Sequence, residues 1–126
     1  MTWNEIRELH LWLPVSSEGW HQHANGGGWV ADTADVPASV MVPHSAVIAH
    51  HSTIGVYSEI GVHSEIRAYS AIGAHSMIGA YSTIGVYSVI GAHSKIRAYS
   101  TIGAYSTIGH CATNRSSISI PLRLGG

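Results

Sequence analysis

The chain has no phenylalanine, one cysteine and few charges, and each scarcity excludes a class of protein. A 126-residue globule ordinarily fills a thick core with varied large side chains. Without Phe, and with the same few residues recurring, this core has to be narrow and monotonous, as in a solenoid. Cys111 alone can form no intrachain disulfide and no cysteine-based zinc cluster. Charged residues make up 10% of the chain, against about 25% in ordinary soluble domains, and the net charge is -1 with His neutral. No basic face can neutralise a run of phosphates and no polybasic patch can meet anionic lipid, so neither nucleic acid nor a membrane is an expected partner. No apolar run approaches the roughly 18 residues of a membrane span. Glu5, Arg7 and Glu8 interrupt the first fifteen residues, which do not look like a signal peptide. The expected location is the cytoplasm or a virion.

Abundant instead is one six-residue phrase. From Ile54 the chain reads IGVYSE, IGVHSE, IRAYSA, IGAHSM, IGAYST, IGVYSV, IGAHSK, IRAYST, IGAYST without insertion. Looser copies carry the period back to VADTAD at Val30 and forward through IGHCAT, so residues 30–113 hold fourteen hexapeptides. A helix is excluded, because a period of six puts Ile on no single helical face and β-branched residues with Gly are poor helix formers. In an extended chain the Ser and Ile of Ser-x-Ile point to one side, and the variable residue and the following Gly to the other. The remaining Ala or Val and the His or Tyr must turn the chain. Three strand residues and a corner are too short for a hairpin meander. They suit a coil that turns the same way at each corner, stacking Ile on Ile and pairing each strand with the coils above and below.

This aliphatic-Gly-x-x-small-x pattern resembles the hexapeptide-repeat family over about two-thirds of the chain. The resemblance implies an all-β, left-handed parallel β-helix with three hexapeptides per coil. That gives about four to five coils, a prism on the order of 22 Å long at ~4.8 Å per coil. One departure stands out. The second corner residue, often Asn or Gly in the family, is Tyr or His nearly everywhere here. In the left-handed conformation each would cost about 1–2 kcal/mol.

The expected organisation is a cap segment over residues 1–29, the β-helix over 30–119 and a tail over 120–126. Glu5–Leu13 fits either a short helix or a strand. Trp29 is expected to lid the open end of the Ile core, since an open solenoid edge recruits other chains. The stretch from His23 to Val30, with Gly-Gly-Trp-Val entering the first coil, resembles the entry segment of phage and prophage hexapeptide-repeat proteins. Pro121 removes a ladder donor and stops strand addition.

Residues eighteen apart fall in corner columns on successive coils: His51, Tyr69, Tyr87 and Tyr105; Tyr57, His75, His93 and Cys111; His63, Tyr81 and Tyr99. His75, His93 and Cys111 are ligand types that suit zinc, but parallel vectors about 4.8 Å apart fit one tetrahedral ion poorly, so no metal is expected. The pair His21 and His23 is expected to be a solvated loop pair. Stacked threonines such as Thr83 and Thr101 lack the second Thr rank of an ice-binding face. Lys95, Arg97 and Arg115 fall on one side of the prism with Glu59.

The function expected from this surface, Gly-rich, sparsely charged and edged with Tyr, is that of a non-enzymatic structural or binding protein of phage or prophage type. The candidate contact residues are the corners Tyr69, Tyr87, Tyr105, His75, His93, Tyr81 and Tyr99, with no catalytic residue and no cofactor assigned. The family resemblance implies a homotrimer, with a protein or small molecule bound in grooves between subunits. The alternative, which the resemblance also implies, is an acyltransferase-like enzyme with a His general base at a subunit interface, for which His63, His75 and His93 are the candidates.

Overall fold

The computed structural model describes residues 2–109 and, by backbone alone, Thr113–Asn114 and Arg123–Leu124. Arg115, Cys111, Pro121 and the expected boundary at residue 119 lie outside the described residues. One helix, α1 (Trp3–Leu9), precedes the strands. β1 (Trp20–Gln22) and β2 (Trp29–Ala31) form an antiparallel pair that leads into the coils. Next come β3 (Val47–Ile48), β4 (Thr53–Ile54), β5 (Glu59–Ile60), β6 (Glu65–Ile66), β7 (Ala71–Ile72) and β8 (Met77–Ile78). They continue as β9 (Thr83–Ile84), β10 (Val89–Ile90), β11 (Lys95–Ile96), β12 (Thr101–Ile102), β13 (Thr107–Ile108), β14 (Thr113–Asn114) and β15 (Arg123–Leu124).

The strands gather into three parallel faces of a left-handed β-helix of about four turns, as the resemblance to the hexapeptide-repeat family implies. The first face runs β2-β3-β6-β9-β12, the second β4-β7-β10-β13-β15 and the third β5-β8-β11-β14. They are named here for Glu65, Thr53 and Glu59. Register is a strict eighteen: Glu59 pairs with Met77, Met77 with Lys95, and Ile60 with Ile78 below Ile96. Each core isoleucine from Ile54 to Ile108 is at most 4% exposed, a burial worth about 1.5–3 kcal/mol per side chain.

Serine completes the interior. Each buried Ser hydroxyl from Ser52 to Ser94 donates to the carbonyl fifteen residues on, as Ser58 does to Gly73 and Ser76 to Gly91, both at 2.9 Å. A buried hydroxyl that is satisfied in this way carries no desolvation penalty. Outside, the coils approach so closely that a Cβ on Gly61 would stand 2.4 Å from the Ala80 nitrogen.

All ten corner residues from His51 to Tyr105 have φ between 58° and 63°, the left-handed conformation. Their backbone N–H groups point along the solenoid axis. Tyr69 donates to the carbonyl of His50 at 3.0 Å, and the same bond recurs up to Tyr105 and Val86 at 2.9 Å. In the first coil side-chain hydroxyls take the carbonyl's place: Thr33, Ser39 and Ser45 accept from the N–H groups of His51, Tyr57 and His63.

The N-terminal segment resolves into a helix. Thr2 Oγ1 accepts from Glu5 N, and Glu5 Oε1 accepts from Thr2 N, a reciprocal cap that starts α1. The segment lies on the Glu65 face, where Trp3, Ile6, Leu13 and Trp20 pack on Ala31, Val47 and Ala49.

The expected lid role of Trp29 is not met. Trp29 shares the register of Val47 and Glu65, so it faces outward from β2, edge-on to Trp3 at 5.1 Å, while Val30 takes the inward position. The turn at residues 23–28 covers the first coil instead. His23 Nε2 lies 2.9 Å from the Val40 carbonyl, Val42 N donates to Asn25 O, and Gly28 N donates to Val42 O. Among the described residues no helix is long and apolar enough to cross a membrane.

Candidate functional site

The corner columns form as the spacing predicts. Tyr69, Tyr87 and Tyr105 stack at 4.8 and 5.1 Å with rings within 2° of parallel. His63 and Tyr81 stack at 4.6 Å, and Tyr81 and Tyr99 at 5.0 Å. His75 and His93 lie 5.1 Å apart and 4° from parallel. Ring stacking of this kind returns about 0.5–1.5 kcal/mol per pair, comparable to the left-handed strain. That offset is the physical reason Tyr and His are tolerated where Asn or Gly would be unstrained.

Two parallel imidazoles in a ladder present their edges to solvent and do not converge on one point. Cys111 lies outside the described residues. Among the described residues no group of three or more His, Cys, Asp or Glu side chains converges for a metal ion. His21 and His23 part company: His21 Nδ1 meets Asp32 Oδ1 at 2.6 Å on the surface, whereas His23 is buried against the Val40 carbonyl. Thr83 and Thr101 are in register on the Glu65 face, without a second Thr rank beside them.

The Glu59 face carries a shallow groove of about 610 Å³. Gly61 and Gly79 leave bare backbone along its floor, Met77 stands at its centre, Glu59 lies at one end and Lys95 with Arg97 at the other. The strands of this face run between two corner columns, Tyr57, His75 and His93 before them and His63, Tyr81 and Tyr99 after them, and none of these rings lines the groove. His75 and His93 are exposed and His63 half-buried. Among the described residues no carboxylate is bonded to any of the three.

Sequence reasoning missed the densest polar cluster. His10 is 2% exposed; its Nδ1 lies 2.5 Å from Glu65 Oε2 and its Nε2 2.8 Å from the Ser45 carbonyl. Both ring nitrogens thus face oxygens, one of a carboxylate and one of a carbonyl. Trp12 Nε1 and Arg67 Nε also donate to Glu65 Oε1, at 2.8 and 3.0 Å, and the Arg67 guanidinium sits 4.4 Å from the Trp12 ring centre. Burial pushes the Glu65 carboxyl up. The hydrogen bond and charge of His10, with the charge and hydrogen bond of Arg67, outweigh it and leave the group below its ordinary value. Arg67, one of two arginines that replace the repeat's Gly, therefore helps to hold the N-terminal segment. Arg97, the other, stands exposed in the groove.

No family model matches the chain, and no curated protein matches it by sequence. Solved structures do match its fold. The acetyltransferase domain of PglB from Neisseria gonorrhoeae superposes with a TM-score of 0.51 at 18% identity, covering 77% of this chain and 53% of that one. A variant of GDP-perosamine N-acetyl transferase from Caulobacter crescentus, in complex with CoA and GDP-perosamine, gives 0.41 at 19% identity, covering 77% and 52%. The chain thus spans about half the length of the structures it matches. At these identities the likeness establishes the β-helix fold.

Proposed function

We propose that the chain is an acyltransferase-type β-helix domain whose working surface is the Glu59 groove, with a corner histidine as general base at a contact between copies. The observation that supports the reading is that the corners holding His63, His75 and His93 flank the strands of the Glu59 face, on a solenoid whose structural neighbours include an acetyltransferase domain. In the reaction an acceptor amine or hydroxyl attacks a thioester carbonyl. The imidazole takes the acceptor's proton, the tetrahedral intermediate collapses and the thiol leaves with a proton. Such a base contributes about 10²–10⁴-fold.

The phage-type resemblance of residues 23–30 has no counterpart among these neighbours. A second, non-enzymatic reading rests on a different observation: each corner histidine is locked in a ring stack with no carboxylate to orient it. There the Tyr and His corners bind a partner and do no chemistry.

Acetyl-CoA separates the two. Transfer predicts a raised melting temperature with acetyl-CoA, and release of free thiol in the presence of small amine acceptors. Changing His63, His75 and His93 together to Asn, which tolerates the left-handed corner, should preserve the circular dichroism and abolish thiol release. No thermal shift, or unchanged release from the triple variant, sinks the catalytic reading.

A further inference from the structure

We infer that the Glu59 face is a self-complementary docking surface for a second copy of this chain, packed face to face with the two solenoid axes antiparallel. The inference rests on the charge pattern of the face; docking fills the groove and so competes with any acyl donor or acceptor bound there.

The outward column of this face reads Met41, Glu59, Met77, Lys95, one residue per coil. Two positions on from Glu59, Met77 and Lys95 stand Gly61, Gly79 and Arg97. Met41 and Met77 are 54% and 43% exposed, and Glu59, Lys95 and Arg97 are exposed beside them. One apolar side chain, Met77, between charges of opposite sign, with Met41 one coil beyond Glu59, is the pattern of a patch that meets itself.

Two two-fold axes bring the face onto its own copy with strands and coils aligned, and the charges choose between them. An axis parallel to the strands through Met77 reverses the order of the coils. Met77 then meets Met77, Glu59 meets Lys95 of the second copy, and Lys95 meets its Glu59. Arg97 extends over the bare backbone at Gly61, where no side chain fits without displacing the next coil. The other axis, along the solenoid, keeps the coils level. It sets Lys95 against Arg97 of the second copy, gathers four cations at one height and leaves both Glu59 carboxylates without a cation. Like charges placed opposite one another oppose association, so the antiparallel arrangement is selected.

The neighbouring Thr53 face has no such code. Its outward column reads Asp35, Thr53, Ala71, Val89 and Thr107, and among the described side chains no cation of the column answers Asp35. The Glu65 face is covered near its start by the N-terminal segment.

From the strand spacing, the Glu59 face offers on the order of 300–400 Å² per copy, well under the roughly 800 Å² of a standard interface. The dimer is therefore weak, concentration-dependent and salt-sensitive.

Sedimentation equilibrium of the full chain over a wide concentration range tests this. Glu59→Lys and Lys95→Glu, made singly, should each raise the dimer dissociation constant about tenfold or more. The double swap rebuilds both pairs and should return it to near the wild-type value. Cysteine pairing gives a second readout in a Cys111→Ser background. Oxidation should join Glu59→Cys chains to Lys95→Cys chains in a mixture and leave Glu59→Cys chains alone unlinked. A wild-type monomer at the highest concentration would overturn the inference. So would a trimer, or a folded double swap that stays as weak as the single variants.

Discussion

Residues 3–22 and the coils from residue 30 onward lie against each other along one face, yet almost nothing that stabilises one recurs in the other. In the coils a few interactions repeat every eighteen residues: Ile on Ile, Ser hydroxyl to carbonyl, ring on ring. The N-terminal segment is held by contacts that occur once. Four tryptophans meet at mixed angles, and one buried histidine is tied to Glu65. The repeat spreads its polar contacts over many equivalent sites, whereas the segment gathers those it makes with the solenoid's side chains at a single carboxylate.

That difference sets the scale of what mutations should do. The largest effect is expected at Glu65. Glu65→Ala leaves His10, Trp12 Nε1 and Arg67 without their shared acceptor, and breaking a buried pair costs about 3–5 kcal/mol. Tryptophan fluorescence should shift to the red while the β-sheet circular dichroism persists. Loss of both signals together would show that segment and solenoid are one cooperative unit.

The fold was legible in the sequence because a solenoid writes the same physics into every repeat. The period, the inward Ser and Ile and the place of the corners follow from local spacing, while the left-handed conformation of the Tyr and His corners was implied by the family resemblance and is set by the structure. The polar cluster was not legible. His10 and Glu65 are 55 residues apart, and Glu65 occupies the same variable position as Glu59, which stands in open solvent. The helix at Trp3–Leu9 did leave a signal, the Thr2-x-x-Glu5 cap, against which the alternating leucines argued for a strand. Trp29 was misassigned because its inward or outward direction depends on the register of the first coil, which the looser early repeats do not fix. Of the candidate site, the column memberships and the grouping of Glu59 with Lys95 and Arg97 could be read directly. The glycine floor between them became a groove only once the coils were stacked.

A smaller effect is expected within the repeat. Ile78→Ala in the central coil should cost about 2–5 kcal/mol, read as a lower midpoint in urea with the tryptophan and circular dichroism transitions still separable. Smaller again is Tyr87→Asn. It removes left-handed strain of about 1–2 kcal/mol and also two ring contacts of similar worth, so stability should change by no more than about 1 kcal/mol. A large loss would mean that the ladders, and not the isoleucine core, carry the solenoid.

The comparison is tested most directly by hydrogen exchange at neutral and acid pH, resolved along the chain. Glu65 has a lowered pKa in the folded protein, so its contribution is fully present above the ordinary glutamate value of 4.5 and is lost as the pH falls through the folded value. The account predicts that below that pH the amides of residues 3–22 lose protection while those of the strands from β4 to β12 keep theirs. Simultaneous loss in both regions, or a segment that stays protected in acid, would contradict the claim that Glu65 is the decisive polar tie between the segment and the solenoid.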